Sequence, residues 1–360
     1  MKPFTYNLDY VKEQSRRDLF KVVSLFAGGG GSSTGYRLAG GEVLAINEFI
    51  PAAQEVYARN YPDTYIFTQN IRQLTGEMIS DHIGLKKGEL DILDGSPPCS
   101  SYSDAGNKEK GWGKVKKYSD AEQRTDDLFF EFARILKDIQ PKVFICENVK
   151  GITEGTSATL LGSEQYMLFD EHDDTIYHTL VNSGYRVRYK VLNAINYHVP
   201  QRRERTIFIG VRKDIKEKIT FPTTKSGVIK LADAFDGVYN TPEDLAEADI
   251  STYKVYEHLT KMAIGASFHN TRLLRKASPE KAAFTVTASS STRGGRCEHH
   301  WDNRKFTVKE LIRICSFPED YYLGEKYQNR VERLGRAVPP LMMKAIANHV
   351  YETILKKNIK

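Results

Sequence analysis

Strand-like and helix-like segments alternate along residues 20–215, and this alternation constrains the fold more than any other feature. Short runs rich in Val, Ile and Phe alternate with segments that have apolar residues at helical spacing. For example, the helical pattern DDLFFEFARILKDI is followed by the strand pattern KVFICENV. The pattern predicts an α/β fold with a doubly wound, mostly parallel sheet. Ligands bind such sheets at the carboxyl ends of the strands, so residues that follow strands are the first candidates for function.

The alternation stops near residue 215, and the chain divides into four predicted parts. Residues 1–19 are polar and are expected to form a loose lead-in to the main domain at 20–215. Residues 216–330 carry short strands, turns and scattered basic residues, which indicates a smaller, irregular domain. Residues 331–360 return to a helical pattern with Pro at its start, which predicts a helix that packs back on the main domain.

Charge and cysteine usage narrow the class of protein. The 360 residues carry a net charge of +6, which permits a polyanionic partner without proving one. Neither a secretory segment nor an apolar run of the roughly 20 residues that a membrane span needs is recognisable. The four cysteines form no C-x-x-C pair. The expectation is a reduced cytoplasmic protein with no membrane association.

A glycine turn joins the first predicted strand to the first helix of the main domain. In FAGGGGSSTG the bare backbone allows a ligand to approach closely, and the helix N-terminus offers free N–H groups. Glu48 ends the next strand about 20 residues later, where an acid suits hydrogen bonding to ribose hydroxyls. A flexible turn without a ligand remains the alternative for this segment alone.

A thiol and a carboxylate follow two other predicted strands, and two arginines stand just before a third. Cys99 lies in the stiff loop GSPPC, Glu147 in ENV, and Arg203 and Arg205 in QRRER. Cytosine has no nucleophilic carbon at position 5, but thiolate attack on C6 creates one when an acid engages N3 and a cation faces the 2-oxo group. These residue types are the set that this chemistry needs. For an isolated Cys99, an inert buried thiol would be the alternative.

The chain resembles the DNA (cytosine-5)-methyltransferase family from Lys21 to about Val350, in the family's motif order. The matching segments are LFAGGGGSSTG, GSPPCSSYS, ENV, QRRERTIFIG, RKFTVKELIRICSFPEDY and GRAVPPLMMKAIANHV. The resemblance implies a Rossmann-like domain that binds S-adenosylmethionine and a target-recognition domain at 216–330. It also implies methyl transfer to C5 of a flipped cytosine in double-stranded DNA, by a monomer in a bacterium or a phage-infected host cell. No metal is expected, because no second cysteine pair completes a zinc site with Cys297, His299 and His300.

Roles for individual residues follow from the resemblance. Cys99 would attack C6, Glu147 would engage N3 and the 4-amino group, Arg205 would face the 2-oxo group, and Arg203 would support the loop or a phosphate. Cofactor contacts are implied for a larger set that surrounds the glycine turn and the other motifs. This set is Phe26, Ala27, Gly28, Gly29, Gly30, Glu48, Phe49, Asn70, Ile71, Pro98, Arg336, Ala337 and Val338.

Three positions depart from the family pattern. Asn70 replaces an Asp but can still accept a hydrogen bond from the adenine amino group, and Ser100 replaces a Gln. Arg336 stands where the tenth motif has Asn, and a guanidinium in a cleft needs an anion. That anion is a local acid, a DNA phosphate or the methionine carboxylate, or else an extra carboxylate on the donor. Carboxy-S-adenosylmethionine would give 5-carboxymethylcytosine.

Basic residues indicate where DNA would bind. Lysines between the Pro-Cys loop and the next helix could meet phosphates, and arginines of the smaller domain could meet phosphates or guanine edges. The predicted DNA contacts are Ser101, Lys108, Lys110, Lys114, Lys116, Lys117, Arg272, Arg275, Arg293 and Arg296. A solvated basic surface is the alternative for each of them. The same catalytic parts could serve RNA, so an RNA cytosine methyltransferase stays a second reading.

Overall fold

The computed structural model describes residues 3–98, 116–118, 121–123, 128–150, 176–224, 227–268, 274–291 and 298–358. Its main sheet has seven strands in the order β3-β2-β1-β4-β7-β9-β8. These strands are β1 Lys21–Leu25, β2 Glu42–Asn47, β3 Tyr65–Phe67, β4 Ile92–Gly95, β7 Val143–Val149, β8 Tyr185–Asn193 and β9 Glu204–Arg212. Two further strands, β5 Lys116–Tyr118 and β6 Ala121–Gln123, form a separate antiparallel hairpin.

The sheet is doubly wound and mostly parallel, as the alternation predicts. Strands β1, β2, β3, β4 and β7 run parallel to one another, and β9 alone among the seven runs antiparallel to the strands on both sides. The chain adds β2 and β3 on one side of β1 and then crosses to β4 on the other side. The switch point of the sheet therefore lies between β1 and β4, where ligands bind in this class of fold.

Apolar side chains cover both faces of this sheet. Along β7, Val143 and Ile145 join one buried cluster while Phe144 and Cys146 join another, which is the alternation of a strand buried on two sides. Helices complete both layers. They are α1 Leu8–Ser15, α2 Gly31–Leu38, α3 Pro51–Asn60, α4 Gly76–Ile83, α5 Leu128–Ile139, α6 Ile176–Asn182, α10 Val308–Ile314, α11 Tyr327–Arg336 and α12 Pro340–Thr353.

The region between β9 and α10 is less regular than the main sheet. It contains the short helices α7 Leu231–Ala234, α8 Pro242–Ala248 and α9 Lys254–Lys261, and a small sheet of β10 Ser267–Phe268, β11 Leu274–Lys276 and β12 Glu298–His299. Ile250, Leu259 and Leu274 form a small apolar cluster of their own. The boundaries at 216 and 330 remain predictions.

The N-terminal segment differs from the expected loose lead-in. Asn7 caps helix α1 by accepting a hydrogen bond from the backbone N–H of Tyr10, and Val11 is fully buried. Tyr6 is also buried and lies in the main apolar cluster. Polar composition hid this contact because only a few apolar residues of the segment anchor it.

Candidate active site

The glycine turn and the Pro-Cys loop begin side by side at the switch point. Leu25, the last residue of β1, pairs with Gly95, the last residue of β4. Phe26–Gly30 follow the first of these strands, and Ser96–Pro98 follow the second. Two predicted motifs that are 70 residues apart in sequence therefore open onto one edge of the sheet.

Within the glycine turn, one glycine faces open space and three are packed. Gly28 has φ +56°, and nothing lies within 4 Å of the position that a Cβ would occupy there. At Gly30 a Cβ would lie 2.5 Å from the hydroxyl of Tyr321, and at Gly31 it would lie 2.5 Å from the carbonyl oxygen of Val338. Gly28 therefore has a left-handed backbone that favours glycine and leaves room for close ligand approach, whereas packing against the C-terminal segments explains Gly30 and Gly31.

Glu48 follows β2 and folds back onto the glycine turn. Its carboxylate accepts hydrogen bonds from the backbone N–H groups of Gly28 and Ile50, each at 2.7 Å. Burial raises the pKa of Glu48, while these N–H donors and the nearby charge of Arg333 act in the opposite direction. The acid predicted for ribose binding is thus fixed beside Gly28, the open position of the turn.

The other residues predicted around the cofactor surround the same edge. Ile71 and Ala27 are buried, and Phe26, Phe49 and Pro98 are partly buried. The side-chain oxygen of Asn70 accepts a hydrogen bond from the backbone N–H of Arg72 at 3.1 Å. That oxygen therefore caps the short 3₁₀ helix Ile71–Gln73. The replacement of the family's Asp by Asn70 does not reveal this role.

Glu147 and Arg205 form a largely buried ion pair at the edge of the sheet. The Nε atom of Arg205 lies 2.7 Å from Oε1 of Glu147, and the two side chains are 14% and 10% exposed. The antiparallel direction of β9 explains the contact, because it brings the start of β9 opposite the end of β7, with Arg205 paired to Val149. Burial lowers the pKa of Arg205, and the charge of Glu147 opposes this shift.

Asn148 ties the acid motif to the loop that carries the cysteine. Its Nδ2 donates to the carbonyl oxygen of Pro97 at 3.3 Å, and its Oδ1 accepts from the backbone N–H of Val149. Glu147 therefore lies next to a residue that holds the start of the Pro-Cys loop. Cys99 and Ser101 themselves lie outside the described residues.

Arg203 is buried and links three segments of the chain. Its Nη1 and Nη2 donate to the carbonyl oxygens of Val286 and Gly335, both at 2.9 Å, and the residue is 2% exposed. Burial and then the charge of Arg205 lower the pKa of Arg203 to about 9, so it remains a cation at neutral pH. These contacts join Arg203 to the chain at Val286 and Gly335, and its predicted role in supporting the loop or a phosphate stays a prediction.

Arg336 has a carboxylate partner one helical turn away. Its Nε donates to Oε1 of Glu332 at 2.8 Å, and Nη2 of Arg333 lies 3.2 Å from the same oxygen. One carboxylate thus serves two guanidinium groups at the end of α11. The next residues, Ala337 and Val338, run past Gly31 at the rear of the glycine turn.

Most of the predicted DNA contacts fall on segments that the structure does not describe. These are Ser101, Lys108, Lys110, Lys114, Arg272, Arg293 and Arg296. Lys116 and Lys117 belong to strand β5 of the hairpin. Arg275 lies on β11 with its guanidinium carbon 3.8 Å from the ring centroid of Phe284, and the charge of Glu298 acts on it. Arg275 is therefore engaged within the protein, and its predicted DNA contact stays a prediction.

The described part of the chain holds neither a metal-ligand cluster nor a membrane-spanning helix. No group of three or more His, Cys, Asp or Glu residues there is placed to hold a metal ion. None of the described helices is long and apolar enough to cross a membrane.

Asp94, at the end of β4, is a buried acid that the motifs do not predict. Its Oδ2 accepts from the hydroxyl of Ser24 at 2.6 Å, and its Oδ1 accepts from the hydroxyl of Tyr36 at 3.0 Å. Burial, with a smaller contribution from the charge of Glu147, raises the pKa of Asp94 to about 7. The residue links β4 to β1 and α2, the two elements that flank the glycine turn.

This raised pKa predicts a pH-dependent stability difference between wild type and Asp94→Asn. The folded protein holds the Asp94 proton more tightly than the unfolded chain, so wild type loses stability as pH rises from about 4 to about 7. The difference between an ordinary Asp pKa of about 4 and a pKa of about 7 in the folded protein corresponds to about 4 kcal/mol. Urea unfolding at pH 5, 6, 7 and 8 should show the variant gaining on wild type across this range.

For a matched variant, Asp91→Asn, the expected change in stability relative to wild type has the opposite sign. Asp91, before β4, is ion-paired with Lys142 at 2.7 Å, so Asp91→Asn should lose stability at pH 8 relative to wild type. If the difference between wild type and Asp94→Asn is constant from pH 5 to pH 8, then Asp94 does not titrate in this range.

Several residues at the site carry no assignment in the sequence analysis. Tyr321 contacts the glycine turn. The charge of Arg333 acts on Glu48, and Asn148 holds the Pro-Cys loop. Glu332 could have been found, because an acid four residues before Arg336 on one helix is a recognised ion-pair spacing. Nothing in the sequence indicates the tertiary contacts of the other three.

The fold and the site together define a class of protein: an α/β protein with a glycine turn at the switch point of its sheet and an acid–arginine pair beside a Pro-Cys loop. The family model for C-5 cytosine-specific DNA methylases matches residues 20–352. The chain therefore belongs to the C-5 cytosine-specific DNA methylase family, and it is a DNA (cytosine-5)-methyltransferase, as its motifs predict.

Relatives in two comparisons agree with this membership. The chain is 31% identical to the type II methyltransferase M1.HphI of Haemophilus parahaemolyticus, covering 93% of this chain and 87% of the relative. It is 28% identical to M.NgoPII of Neisseria gonorrhoeae, covering 93% and 96%. A DNA modification methyltransferase candidate encoded within an E. coli prophage shares the fold, with a TM-score of 0.69 and 20% identity over 93% of this chain and 99% of that one.

Proposed function

We propose that this enzyme transfers a methyl group from S-adenosylmethionine to C5 of a cytosine flipped out of double-stranded DNA, through a covalent bond between Cys99 and C6. The observation that carries the proposal is the Glu147–Arg205 ion pair at 2.7 Å, which lies beside the residue that holds the Pro-Cys loop. An acid and a cation so placed match the N3 and 2-oxo positions of one pyrimidine ring.

The residues around the glycine turn fit the cofactor. Gly28 leaves open space where a side chain would stand, and the Glu48 carboxylate lies next to it. Bound there, S-adenosylmethionine would supply an electrophilic methyl group on a sulfonium. Glu48 would accept from the ribose hydroxyls, and Ile71, Phe26 and Pro98 would enclose the apolar parts of the ligand.

Cys99, Glu147 and Arg205 would each act on a different position of the cytosine ring. The Cys99 thiolate adds to C6 while Glu147, which would carry a proton when the base is bound, transfers that proton to N3 and Arg205 stabilises the charge on the 2-oxo group, so C5 becomes nucleophilic. After C5 has gained its methyl group, a base removes the C5 proton, the C5–C6 double bond re-forms, the thiolate of Cys99 leaves, and N3 returns its proton to Glu147. Flipping gives the site access to both faces of the ring, at a cost of a few kcal/mol for unstacking.

Carboxymethyl transfer from carboxy-S-adenosylmethionine is the second candidate for the transferred group. Arg336 is the residue that suggests this donor, because a guanidinium in the tenth motif could pair with the extra carboxylate. Glu332 already provides a local anion for Arg336, which supports methyl transfer. The sharing of Glu332 between Arg333 and Arg336 keeps the second donor worth testing.

Nucleoside mass spectrometry after incubation with each donor tests these readings together. Unmodified duplex DNA and, separately, RNA should be offered with S-adenosylmethionine or carboxy-S-adenosylmethionine. The expected result is 5-methyldeoxycytidine from DNA with the plain donor only. A carboxymethylated product that is lost in Arg336→Asn would favour the second donor, and modified cytidine from RNA alone would favour an RNA substrate.

The proposed DNA surface combines the lysines after Ser101 with the arginines of the region 216–330. We expect a monomer that acts in the cytoplasm of a bacterium, consistent with the bacterial sources of the relatives. Phosphate contacts of this kind make binding fall steeply with salt.

A further inference from the structure

The N-terminal arm, defined as residues 3–16, lies outside the residues that the family model matches, 20–352. It is nevertheless bound to the loop that follows α10. The hydroxyl of Tyr6 donates to the carbonyl oxygen of Ser316 at 2.6 Å, and the backbone N–H of Glu319 donates to the carbonyl oxygen of Tyr6 at 2.9 Å. The backbone N–H of Leu8 donates to Oδ1 of Asp320 at 2.9 Å. The arm therefore fixes this loop from one side.

On its other side the same loop reaches the glycine turn through Tyr321. The Tyr321 hydroxyl donates to the carbonyl oxygen of Gly29 at 2.6 Å, and the residue is buried. Phe317 packs edge-on against the Tyr321 ring with centroids 4.9 Å apart, and its ring tip lies near Gly31. One short loop thus contacts both the N-terminal arm and the backbone of the turn.

The turn has a conformation that needs such support. Phe26, Gly28 and Gly30 have φ values of +55°, +56° and +89°, and Phe26 is not a glycine. A left-handed residue of this kind persists only where its surroundings hold it. The hydrogen bond from Tyr321 acts on Gly29, between two of these positions. A turn that is held in its binding shape loses less conformational freedom when a ligand binds.

We propose that Tyr321 and the N-terminal arm are positioning elements for the donor: the arm holds the loop, Tyr321 holds the glycine turn, and the turn is thereby kept ready for the cofactor. This inference rests on the proposed function, in which the turn binds S-adenosylmethionine. It assigns a binding role to residues 3–16, which the family model does not cover.

Isothermal titration of S-adenosylmethionine into full-length variants tests the inference. Tyr321→Phe should raise Kd about 10-fold and Tyr6→Phe about 3-fold, because each loses one buried hydrogen bond. The value of kcat at saturating donor should stay within about 2-fold of wild type, since the reacting groups are untouched. The double variant should equal Tyr321→Phe alone, because the arm acts through Tyr321.

Tyr185→Phe is the matched control. Tyr185 is also buried and its hydroxyl also donates to a backbone carbonyl oxygen, that of Pro141 at 2.7 Å, at the opposite end of the sheet. This variant should lose stability without any change in Kd. If Tyr321→Phe or Tyr6→Phe behaves like Tyr185→Phe, with a lower Tm and an unchanged Kd, the inference is overturned and the proposed function stands. If wild type does not bind S-adenosylmethionine, with or without DNA, both fail.

Discussion

Cys99→Ala is expected to abolish methyl transfer to duplex DNA, with kcat lowered by about 10⁴-fold or more. Without the thiolate, C6 has no nucleophile and C5 stays unreactive toward the donor, however well the base and cofactor are bound. DNA binding and donor binding should survive, because Glu48 and the glycine turn are independent of the thiol. Nucleoside mass spectrometry at a proven recognition sequence measures the loss.

Trapping on 5-fluorocytosine tests the covalent step directly. Fluorine at C5 cannot leave as a proton does, so the wild-type enzyme should remain bonded to such a duplex through a denaturing gel. Cys315→Ala is the matched control, since burial raises the pKa of the Cys315 thiol to about 11 and keeps it protonated. It should trap as wild type does. Full turnover by Cys99→Ala, or no trapped wild-type enzyme in the presence of donor, would refute the proposed mechanism.

The sequence was sufficient to predict the sheet and the edge at which the site lies. Buried apolar runs predict β1, β4 and β7, and the glycine turn, Pro97 and Glu147 follow or end those runs. The direction of β9 was not predicted in detail. A strand that carries the same apolar pattern can run either way, yet only the antiparallel direction places Arg205 opposite Val149 and within reach of Glu147.

Contacts between distant segments could not be read from local patterns. The glycine turn could be explained in the sequence by ligand approach alone, whereas Gly30 and Gly31 face Tyr321 and Val338, which lie about 300 residues further along the chain. Asp94 stands in an apolar strand, and its two hydroxyl partners come from β1 and α2. The N-terminal arm has too few apolar residues for its pattern to indicate where it packs.

Arg336 shows both what sequence reasoning can reach and where it stops. The need for an anion follows from the guanidinium itself, and a local acid was among the options. Helical periodicity places Glu332 one turn away, where it forms the observed ion pair. The sharing of Glu332 with Arg333 depends on how α11 packs beside the glycine turn, and the sequence does not determine this.

Glu147→Gln is expected to lower kcat by about 10²- to 10⁴-fold, because the amide cannot deliver a proton toward N3 as the base is attacked. The substitution also removes the carboxylate that pairs with Arg205 in a largely buried site. Stability should therefore fall together with activity, by about 3–5 kcal/mol at most, which is the range for breaking a buried ion pair from one side. Single-turnover kinetics at saturating donor and DNA, with urea unfolding, measure the two effects.

The double variant Glu147→Gln/Arg205→Met separates the two roles of the pair. Met removes the guanidinium that Glu147→Gln leaves without its carboxylate, so part of the lost stability should return. Activity should not return, because neither the acid at N3 nor the cation at the 2-oxo group is restored. If kcat recovers along with stability, the pair acts as a structural support. Recovery of stability with no recovery of kcat assigns Glu147 and Arg205 to the chemistry of the base.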